Sequence, residues 1–421
     1  MNACFYKSEI SGAVEAVKSK SYLHRAIILA ALSRESVVID GFYPSDDVTA
    51  TVRCVKNLGV KINIENDRLT VIPNGQPKPN AEYFCGESGT TLRLLLPLIA
   101  GSGIGGKFFT DGNLSKRPLK GITDFLGCAG AKISVNDRVI TVSGKAEYKE
   151  KIEVDGTDSS QFVSAAIICA AAFGVKKVIR LGKKVSDDYI AMTVETLKKF
   201  GVVVAETEYG FSVSGKPTAP ERIVINGDWS NSAVFLAAGI IGKNPVAVKG
   251  LVVDNQPDSA FCEIIRKGGG RIEEEDGVVT AYPSELTKLI LDCDEAPDLA
   301  PIIAVAAAFC KEKSELKNVN RLRIKETDRV VGIKNLLDSA GIKYETVGET
   351  LYIYGGTLYI YGGTPVAGTT DANDDHRLIQ AGTLLRLFTG GEVINTAGIK
   401  KSFPDFFDKI TKIGGRYELT F

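Results

Sequence analysis

The sequence predicts an α/β protein made of six copies of one supersecondary unit, and two observations support this prediction. A helical run that stops at glycine recurs at intervals of about 70 residues, and each run is followed by a segment of alternating residues. Glycine directly after a helix fits a left-handed C-terminal cap, and the alternation fits a β-hairpin. The copies read VKNLGVKINIENDRLTVI from 55, DFLGCAGAKISVNDRVITV from 124, TLKKFGVVVAETEYGFSV from 196, EIIRKGGGRIEEEDGVVTA from 263, NLLDSAGIKYETVGETLYI from 335 and, cut short by the terminus, KITKIGGRYELTF from 409.

Each copy is predicted to contain a strand, a helix, a second strand, a second helix and the hairpin. The third copy shows this order most clearly, with a strand over 151–154, a helix over 158–173, a strand over 177–181, a helix over 187–200 and a hairpin that ends at 214. The period is longer than that of a solenoid repeat, so we expect compact units rather than a stacked array.

The length of 421 residues indicates two or more domains. Three copies per domain is the simple division, with the chain crossing between domains near Gly227. A first strand, predicted over residues 3–14, precedes the first full copy, so we expect it to pair with the C-terminal half. The prediction is one discontinuous domain of residues 1–17 and 227–421 and one inserted domain of residues 18–226.

Composition and charge argue against several classes of protein. Lys plus Arg and Asp plus Glu both number 51, so no overall field favours nucleic acid or an anionic membrane as a partner. The N-terminus lacks the apolar core of a signal peptide, and the best apolar run, residues 302–310, is too short to span a bilayer. Eight cysteines without CxxC pairs and two histidines argue against a metal site and favour the reducing cytoplasm.

The heptad TLYIYGG occurs twice in tandem, at 350–356 and 357–363, although the hairpin of the fifth copy needs it once. Extra loop length adds little closure entropy. The preferred interpretation is a duplication that lengthens a surface loop, and a functional insert is the alternative.

Cationic side chains cluster near the predicted starts of helices, where the helix dipole disfavours them. Such a local cost tends to persist where an anion is bound, because free backbone N–H groups and cations then act together. If the units share one orientation, these helix starts lie on one face, and the sequence predicts a site for several anions. The residues concerned are Lys20, Arg25, Arg93, Arg117, Arg323, Lys325, Arg329, Arg377 and Lys401.

Other interpretations stay open for individual residues. Arg25 would also fit plain surface charge, and Glu326 with Arg329 would fit a solvated ion pair of a few tenths of a kcal/mol. His376 would fit a structural role, although its place beside an arginine and after two aspartates favours a functional one. The aspartates at 46–47 are interpreted as the cap of a helix from Val48 rather than as metal ligands.

The motifs that carry these residues resemble the 5-enolpyruvylshikimate-3-phosphate synthase family over essentially the whole chain. They are SKSYLHRAIILAAL at 19–32, SGTTLR at 88–93, KRP at 116–118, DGTDSSQF at 155–162, RIKETDR at 323–329, NDDHR at 373–377 and KKSFPDFF at 400–407. The resemblance implies two domains, each of three βαβαββ units in an inside-out α/β barrel with six-fold pseudo-repeat, and an active site in the cleft between them.

The resemblance also implies an activity, which is the transfer of the enolpyruvyl group of phosphoenolpyruvate to the 5-hydroxyl of shikimate 3-phosphate. Phosphate is released by addition and elimination through a tetrahedral intermediate. The reaction belongs to the shikimate pathway of aromatic amino-acid biosynthesis and needs no metal or organic cofactor. We expect a cytoplasmic monomer whose partners are these two small molecules.

By the same resemblance, both substrates contact residues near the helix starts. Those implied for phosphoenolpyruvate are Lys20, Arg117 and Lys401 at its phosphate, Arg329 and Arg377 at its carboxylate, and Gly89, Arg93 and Gln161 at the same pocket. A guanidinium fork suits a planar carboxylate. Those implied for shikimate 3-phosphate are Lys20, Ser21, Arg25, Ser159, Ser160, Ser186, Tyr189, Asp298 and Lys325.

The resemblance nominates Asp298 as the base at the 5-hydroxyl and Glu326 as the acid at C3, with Lys20 assisting. A carboxylic acid that donates a proton near pH 7 needs a raised pKa, so we expect Glu326 to be desolvated. Nearby cations oppose that rise in pKa, and the choice of proton donor between Glu326 and Lys20 stays open.

The chain departs from the family pattern at several positions. Val17–Lys18 stands where Pro-Gly is usual, Glu87 where Asn is common and Arg321 where Asn often contacts the shikimate. A UDP-N-acetylglucosamine enolpyruvyl transferase is the nearest alternative, but it typically has a loop cysteine before the Arg-Pro motif, and DGNLSKRP has none. An RNA-end phosphate cyclase and a non-catalytic phosphometabolite-binding protein are further alternatives.

Overall fold

The structure is a computed structural model that describes residues 1–348 and 357–420. The chain divides into two compact units, a discontinuous unit of Met1–Val17 with Gly227–Phe421 and an inserted unit of Lys18–Asn226.

The strands, in chain order, are β1 (Asn2–Tyr6), β2 (Gly12–Glu15), β3 (Val37–Asp40), β4 (Val60–Glu65), β5 (Arg68–Pro73), β6 (Ala81–Gly86), β7 (Gly106–Thr110), β8 (Lys132–Asn136), β9 (Val139–Ser143), β10 (Lys151–Asp155), β11 (Lys177–Leu181), β12 (Val203–Thr207), β13 (Gly210–Ser214), β14 (Arg222–Val224), β15 (Val246–Lys249), β16 (Arg271–Glu275), β17 (Val278–Tyr282), β18 (Ile290–Asp292), β19 (Ser314–Lys317), β20 (Tyr344–Val347), β21 (Thr357–Ile360), β22 (Gly368–Asp371), β23 (Gly391–Ile394) and β24 (Arg416–Thr420).

The α-helices are α1 (Lys20–Leu32), α2 (Asp46–Val55), α3 (Gly89–Ser102), α4 (Lys120–Cys128), α5 (Ser160–Phe173), α6 (Asp187–Lys199), α7 (Trp229–Ile241), α8 (Ala260–Lys267), α9 (Ala300–Ala307), α10 (Arg329–Asp338), α11 (His376–Thr389) and α12 (Phe406–Lys412). Short 3-10 helices cover Lys56–Leu58, Leu114–Lys116, Pro257–Ser259, Pro297–Leu299, Val319–Ile324 and Ala397–Lys401.

In the described part of the chain, the strands form six sheets of four with one common order. The inserted unit contains β14-β3-β5-β4, β6-β7-β9-β8 and β10-β11-β13-β12, and the discontinuous unit contains β2-β15-β17-β16, β18-β19-β21-β20 and β22-β23-β1-β24. In each sheet the first two strands are parallel and the last two are antiparallel to their neighbours. The predicted α/β fold of six βαβαββ units is confirmed.

The N-terminal segment differs from its prediction. The single strand expected over residues 3–14 is two strands, because the backbone N–H groups of Ser8 and Ser11 donate to Leu387 and Ile413, outside both ladders. β1 lies between β23 and β24 and completes the sixth sheet, whereas β2 pairs in parallel with β15 of the fourth.

In each unit, a backbone hydrogen bond joins the two points at which the chain passes to or from the other unit. Ser19 N–H donates to Asn226 O at 2.9 Å, and Asp228 N–H donates to Val17 O at 2.7 Å. As a result α1 starts where β14 ends, and α7 starts where β2 ends. In the two sheets whose first strand and first helix are far apart in sequence, the helix therefore still starts at the end of the first strand, as it does in the other four sheets.

The first helix of each repeat is buried along most of its length, because apolar residues predominate around it and most of its polar side chains are themselves buried. In the inserted unit these helices are α1, α3 and α5, and in the discontinuous unit they are α7, α9 and α11. The second helices, such as α2, α6 and α8, are amphipathic and leave a charged face exposed. Helices therefore form the interior of each unit.

The first and second helices of a repeat start at one edge of its sheet. Each start follows the carboxyl end of one of two parallel neighbours, as where Asp155 of β10 pairs with Leu181 of β11. This edge of an α/β sheet is where ligands commonly bind. The fold therefore gathers the helix starts of each repeat.

Two further observations complete the description. Among residues 1–348 and 357–420, every helix is too short or too polar to cross a bilayer. The first TLYIYGG copy lies outside the described residues, while the second supplies β21, which pairs with β19 and β20.

We predict that Gly59→Ala costs more stability than the matched change Gly174→Ala. Both glycines follow helices of the inserted unit with left-handed φ, 81° and 77°. A Cβ at Gly59 would lie 2.6 Å from Gly75 O, whereas at Gly174 its nearest neighbour is Lys216 Cε at 3.9 Å. Backbone strain costs each variant about 1–2 kcal/mol, and the clash adds roughly 1–3 kcal/mol to the first.

Urea unfolding followed by circular dichroism measures both losses. Equal losses for the two variants would contradict the packing described around Gly59.

Candidate active site

Lys20 opens α1 and is held by a carboxylate in the first turn of α2. Its Nζ lies 2.6 Å from Asp47 Oδ2, and the two side chains are 17% and 13% exposed. α2 starts at Asp46 with Ser45 as its cap, two residues earlier than predicted. An acidic first turn is favoured by the helix dipole, and here it also orients the lysine. Sequence reasoning missed Asp47 as this partner.

Arg25 is 2% exposed, so its interpretation as plain surface charge is wrong. Its guanidinium donates to three uncharged acceptors, Ser21 O at 2.8 Å, Thr193 Oγ1 at 2.8 Å and Tyr189 O at 3.0 Å. Burial lowers the pKa of Arg25 to about 10, against a smaller opposing effect of Tyr189 and Tyr22. A buried cation with neutral partners is costly, which favours a role in binding an anion.

Gly89, Arg93 and Arg117 converge at the start of α3. A Cβ at Gly89 would lie 3.1 Å from Arg117 Nη1 and 3.5 Å from Arg93 Nη1. Arg93 Nη1 donates to Gln161 Oε1 at 2.9 Å, and Gln161 Nε2 donates to Thr90 Oγ1 at 2.9 Å. The bare glycine therefore lets two guanidinium groups approach a helix N-terminus, an arrangement suited to an anion.

Ser159, Ser160 and Ser186 lie at the starts of α5 and α6. Ser159 caps α5 and accepts a hydrogen bond from Gln161 N–H, while Ser186 occupies the cap position of α6 with φ 48°. The loops before the two helices are joined where Lys183 N–H donates to Thr157 Oγ1 at 3.1 Å. Hydroxyl and backbone N–H donors at two helix starts suit a phosphate.

A buried polar chain connects these helices and was missed by sequence reasoning. His24 Nδ1 lies 2.6 Å from Thr51 Oγ1, which lies 2.6 Å from Thr91 Oγ1, and that hydroxyl lies 2.7 Å from Ser88 Oγ. This series of hydrogen bonds leads from α1 through α2 to the cap of α3. Burial, together with the charges of the cations at 20 and 25, holds the pKa of His24 well below its usual value. The sequence offered one indication of this buried polar group, because a histidine is unusual in a helix that is mostly apolar.

In the discontinuous unit, Arg329 is fully buried among three carboxylates. Its Nη1 lies 2.9 Å from Asp298 Oδ1, its Nη2 lies 2.6 Å from Glu326 Oε2, and its Nε lies 2.8 Å from Asp375 Oδ2. Burial would lower the pKa of Arg329, but the three carboxylates outweigh it and hold the pKa well above its usual value. The interpretation of Glu326–Arg329 as a solvated pair is therefore wrong for the arginine.

Asp298 lies among three cations. Lys325 Nζ is 3.7 Å from Oδ1, Arg377 Nη2 is 3.3 Å from Oδ2, and Arg329 is the third. Burial would raise the pKa of Asp298, but these charges outweigh it and hold the pKa well below its usual value. Burial lowers the pKa of Lys325 to about 8, although Asp298 opposes this. The side chain of Glu326 is 20% exposed, so its desolvation is incomplete.

Arg377 and Lys401 are positioned by the turn that starts α11. Asp375, fully buried and missed by sequence reasoning, caps α11 by accepting from Arg377 N–H at 2.8 Å. Arg377 Nη1 donates to Asn231 Oδ1 at 3.1 Å. Lys401 Nζ donates to Asp374 O at 2.9 Å. One turn therefore positions both cations.

Within each unit, the structure thus brings predicted site residues close together. Arg321 contacts Asp294, and Arg323 contacts Asp328. Clusters of guanidinium, ammonium and hydroxyl groups at helix starts can bind phosphates and carboxylates. In the part of the chain that the structure describes, no group of three or more His, Cys, Asp or Glu could hold a metal ion.

Solved structures share the fold of this chain. The chain is similar to an EPSP synthase from Acinetobacter baumannii, with a TM-score of 0.80, 21% identity and coverage of 99% of this chain and 100% of that one. It is also similar to the enolpyruvyl transferase NikO from Streptomyces tendae, with a TM-score of 0.77, 16% identity and coverage of 99% and 98%.

The sequence comparisons identify the family. The family model described as EPSP synthase (3-phosphoshikimate 1-carboxyvinyltransferase) matches residues 6–410. A relative of that name from Thermococcus kodakarensis is 34% identical over 411 residues, 96% of this chain and 98% of its own. Another from Clostridium novyi is 33% identical over 426 aligned residues, with 97% and 96% covered. The chain belongs to the EPSP synthase family.

We predict that His24 makes the protein less stable in acid. An unfolded histidine has a pKa of about 6.5, and the folded value lies well below its usual one. The unfolded state therefore binds the proton first, and the free energy of unfolding falls as pH drops below about 6.5, by at most ~1.4 kcal/mol per pH unit.

Urea unfolding between pH 7.5 and pH 5 would test this, with His24→Asn as the comparison. The variant should lose some stability at every pH but should show the shallower pH dependence. Parallel curves for the two proteins would contradict the buried, neutral imidazole.

Proposed function

We propose that the chain transfers the enolpyruvyl group of phosphoenolpyruvate to the 5-hydroxyl of shikimate 3-phosphate and releases phosphate. It is thus a transferase of aromatic amino-acid biosynthesis in the shikimate pathway. Membership of the family supports this over the whole length of the chain. The observation that carries the proposal is the meeting of Gly89, Arg93 and Arg117 at the start of α3.

We propose that phosphoenolpyruvate is bound by cationic residues near several helix starts. Arg329 and Arg377 take its carboxylate, because each already holds a carboxylate of the protein that a substrate can replace. Lys20, Arg117 and Lys401 take its phosphate. The remaining contacts are Gly89, Arg93 and Gln161.

For shikimate 3-phosphate we propose a second set of residues. Its phosphate contacts Ser159, Ser160 and Ser186 at the helix starts and Lys325. Its carboxylate end contacts Ser21 and Arg25, and the neutral partners of the buried guanidinium support this. Tyr189 and Lys20 complete the set.

Asp298 acts as the base that takes the proton of the 5-hydroxyl. Its low pKa keeps it ionised before substrates bind, and it is then a weak base. Substrate anions draw Arg329, Arg377 and Lys325 away from Asp298 and add negative charge, and both changes raise its pKa. Binding therefore activates the base only when the substrates are in place.

The addition and elimination steps balance without a further reactant. The 5-oxygen bonds to C2 as C3 gains a proton, which gives a tetrahedral ketal phosphate. C3 then returns a proton to the group that donated it, the C2–O bond to phosphate breaks, and phosphate leaves with the electron pair and takes up the proton held by Asp298. Lys20 carries an ammonium group held by Asp47, and we assign the proton donation to it, with Glu326 as the alternative donor.

The alternatives have less support. A UDP-N-acetylglucosamine enolpyruvyl transferase is not favoured, because the family model and the relatives are those of EPSP synthase. A non-catalytic binding protein is disfavoured by the presence of every candidate catalytic residue.

We also propose that the chain is a cytoplasmic monomer without nucleic-acid or membrane partners. The balanced charge and the eight scattered cysteines support this. Light scattering should give a mass near 45.1 kDa, and a mass twice as large would contradict the monomer.

Phosphate release from shikimate 3-phosphate and phosphoenolpyruvate tests the activity. We expect release with these two substrates and none when UDP-N-acetylglucosamine replaces the first. Lys20→Met should lower kcat by at least about 100-fold, as expected when a proton donor is removed. Its stability should fall by only about 1–3 kcal/mol, because the change breaks the largely buried ion pair with Asp47 but leaves the packing of α1 in place.

Lys120→Met is the matched control, because Lys120 pairs with Asp124 on an exposed face. It should keep the full rate. Absence of phosphate release by the unmodified protein would refute the activity, and full turnover by Lys20→Met would refute the role of that lysine.

A further inference from the structure

Asp258 is a buried carboxyl group that the reaction described above does not use. It lies in the 3-10 helix Pro257–Ser259 and is 1% exposed. Ser230 Oγ donates a hydrogen bond to Oδ2. In the described residues, Oδ1 is buried and meets no hydrogen-bond donor. A carboxylate held by one hydroxyl group is poorly compensated for its burial, which favours the neutral acid.

The charged groups around Asp258 come from three elements. Asp298 belongs to the 3-10 helix Pro297–Leu299, Arg377 to α11, and Asp228 caps α7. Burial and the charge of Asp298 raise the pKa of Asp258 to about 7, with a smaller contribution from Asp228, while Arg377 and the Ser230 hydrogen bond oppose the rise. Near neutral pH, both protonation states are therefore populated.

The connection to Arg377 runs through α7. Ser230 holds Asp258, and the next residue, Asn231, accepts from Arg377 Nη1 at 3.1 Å and from Gln380 Nε2 at 2.7 Å. Adjacent residues of one helix therefore contact the buried acid and the guanidinium. The two groups are thus connected by hydrogen bonds to this helix, and the charge of Asp258 also acts on Arg377.

The charges around Arg377 give the direction of the effect. Asp298 and Asp228 already place negative charge near this guanidinium. Ionisation of Asp258 adds a negative charge beside Arg377, and this charge disfavours an incoming carboxylate.

We propose that Asp258 is a positioning residue that acts through Arg377, and that its neutral form permits binding of the phosphoenolpyruvate carboxylate while its ionised form weakens it. This inference rests on the proposed function, because it takes phosphoenolpyruvate as the ligand of Arg377.

Calorimetric titration with phosphoenolpyruvate alone, from pH 6 to pH 8.5, tests the inference without requiring turnover. In the unmodified protein, Kd should rise roughly three- to tenfold through pH 7. Asp258→Asn keeps the shape and removes the titration, so its Kd should lack this rise. Protonation of the ligand affects both proteins alike and cancels in the comparison.

Ser230→Ala is a second variant with a different expectation. It removes the hydrogen bond that lowers the pKa of Asp258, so the rise in Kd should move to higher pH. This variant keeps the test decisive if Asp258→Asn fails to fold.

Shikimate 3-phosphate supplies the matched control ligand. Its Kd should rise near pH 8 in all three proteins, because Lys325 loses its proton with a pKa of about 8. An unchanged phosphoenolpyruvate profile in Asp258→Asn or in Ser230→Ala would overturn the inference. Absence of phosphate release by the unmodified protein would instead overturn the proposed function, while the binding profiles would still decide the role of Asp258.

Discussion

The neutralisation of buried Arg329 by three carboxylates is the interaction on which the discontinuous unit depends. Without Asp298, Glu326 and Asp375, the guanidinium would be an unpaired buried charge costing several kcal/mol. The same carboxylates come from three helix starts, so the pairing also fixes those starts relative to one another. The partners of this guanidinium are charged side chains rather than apolar contacts, and under the proposed function a substrate carboxylate competes with them.

The buried cations of the inserted unit have different partners. Arg25 has uncharged partners, whereas Lys20 has a single carboxylate, Asp47. A buried cation that lacks a countercharge binds an incoming anion more strongly than one already neutralised. Arg25 therefore offers an anion a cation without a charged partner, whereas Arg329 offers one that the protein already neutralises.

The repeats could be predicted from the sequence because caps and hairpins are local features, such as the left-handed glycine at Gly59. The splitting of the first strand could not, because it depends on backbone partners such as Leu387, far along the chain. The candidate site residues were identified because their motifs resemble those of the family. Asp375, His24 and Asp258 were missed because a buried polar partner leaves no periodic pattern in the sequence.

The position of β1 between β23 and β24 has a consequence for synthesis. Tyr6 and Glu418, joined by a hydrogen bond, are separated by 412 positions. A growing polypeptide therefore carries β1 unpaired until β23 and β24 have been translated, whereas Lys18–Asn226 has every strand of its sheets long before. Until then the sixth sheet has an open edge, and such an edge favours self-association.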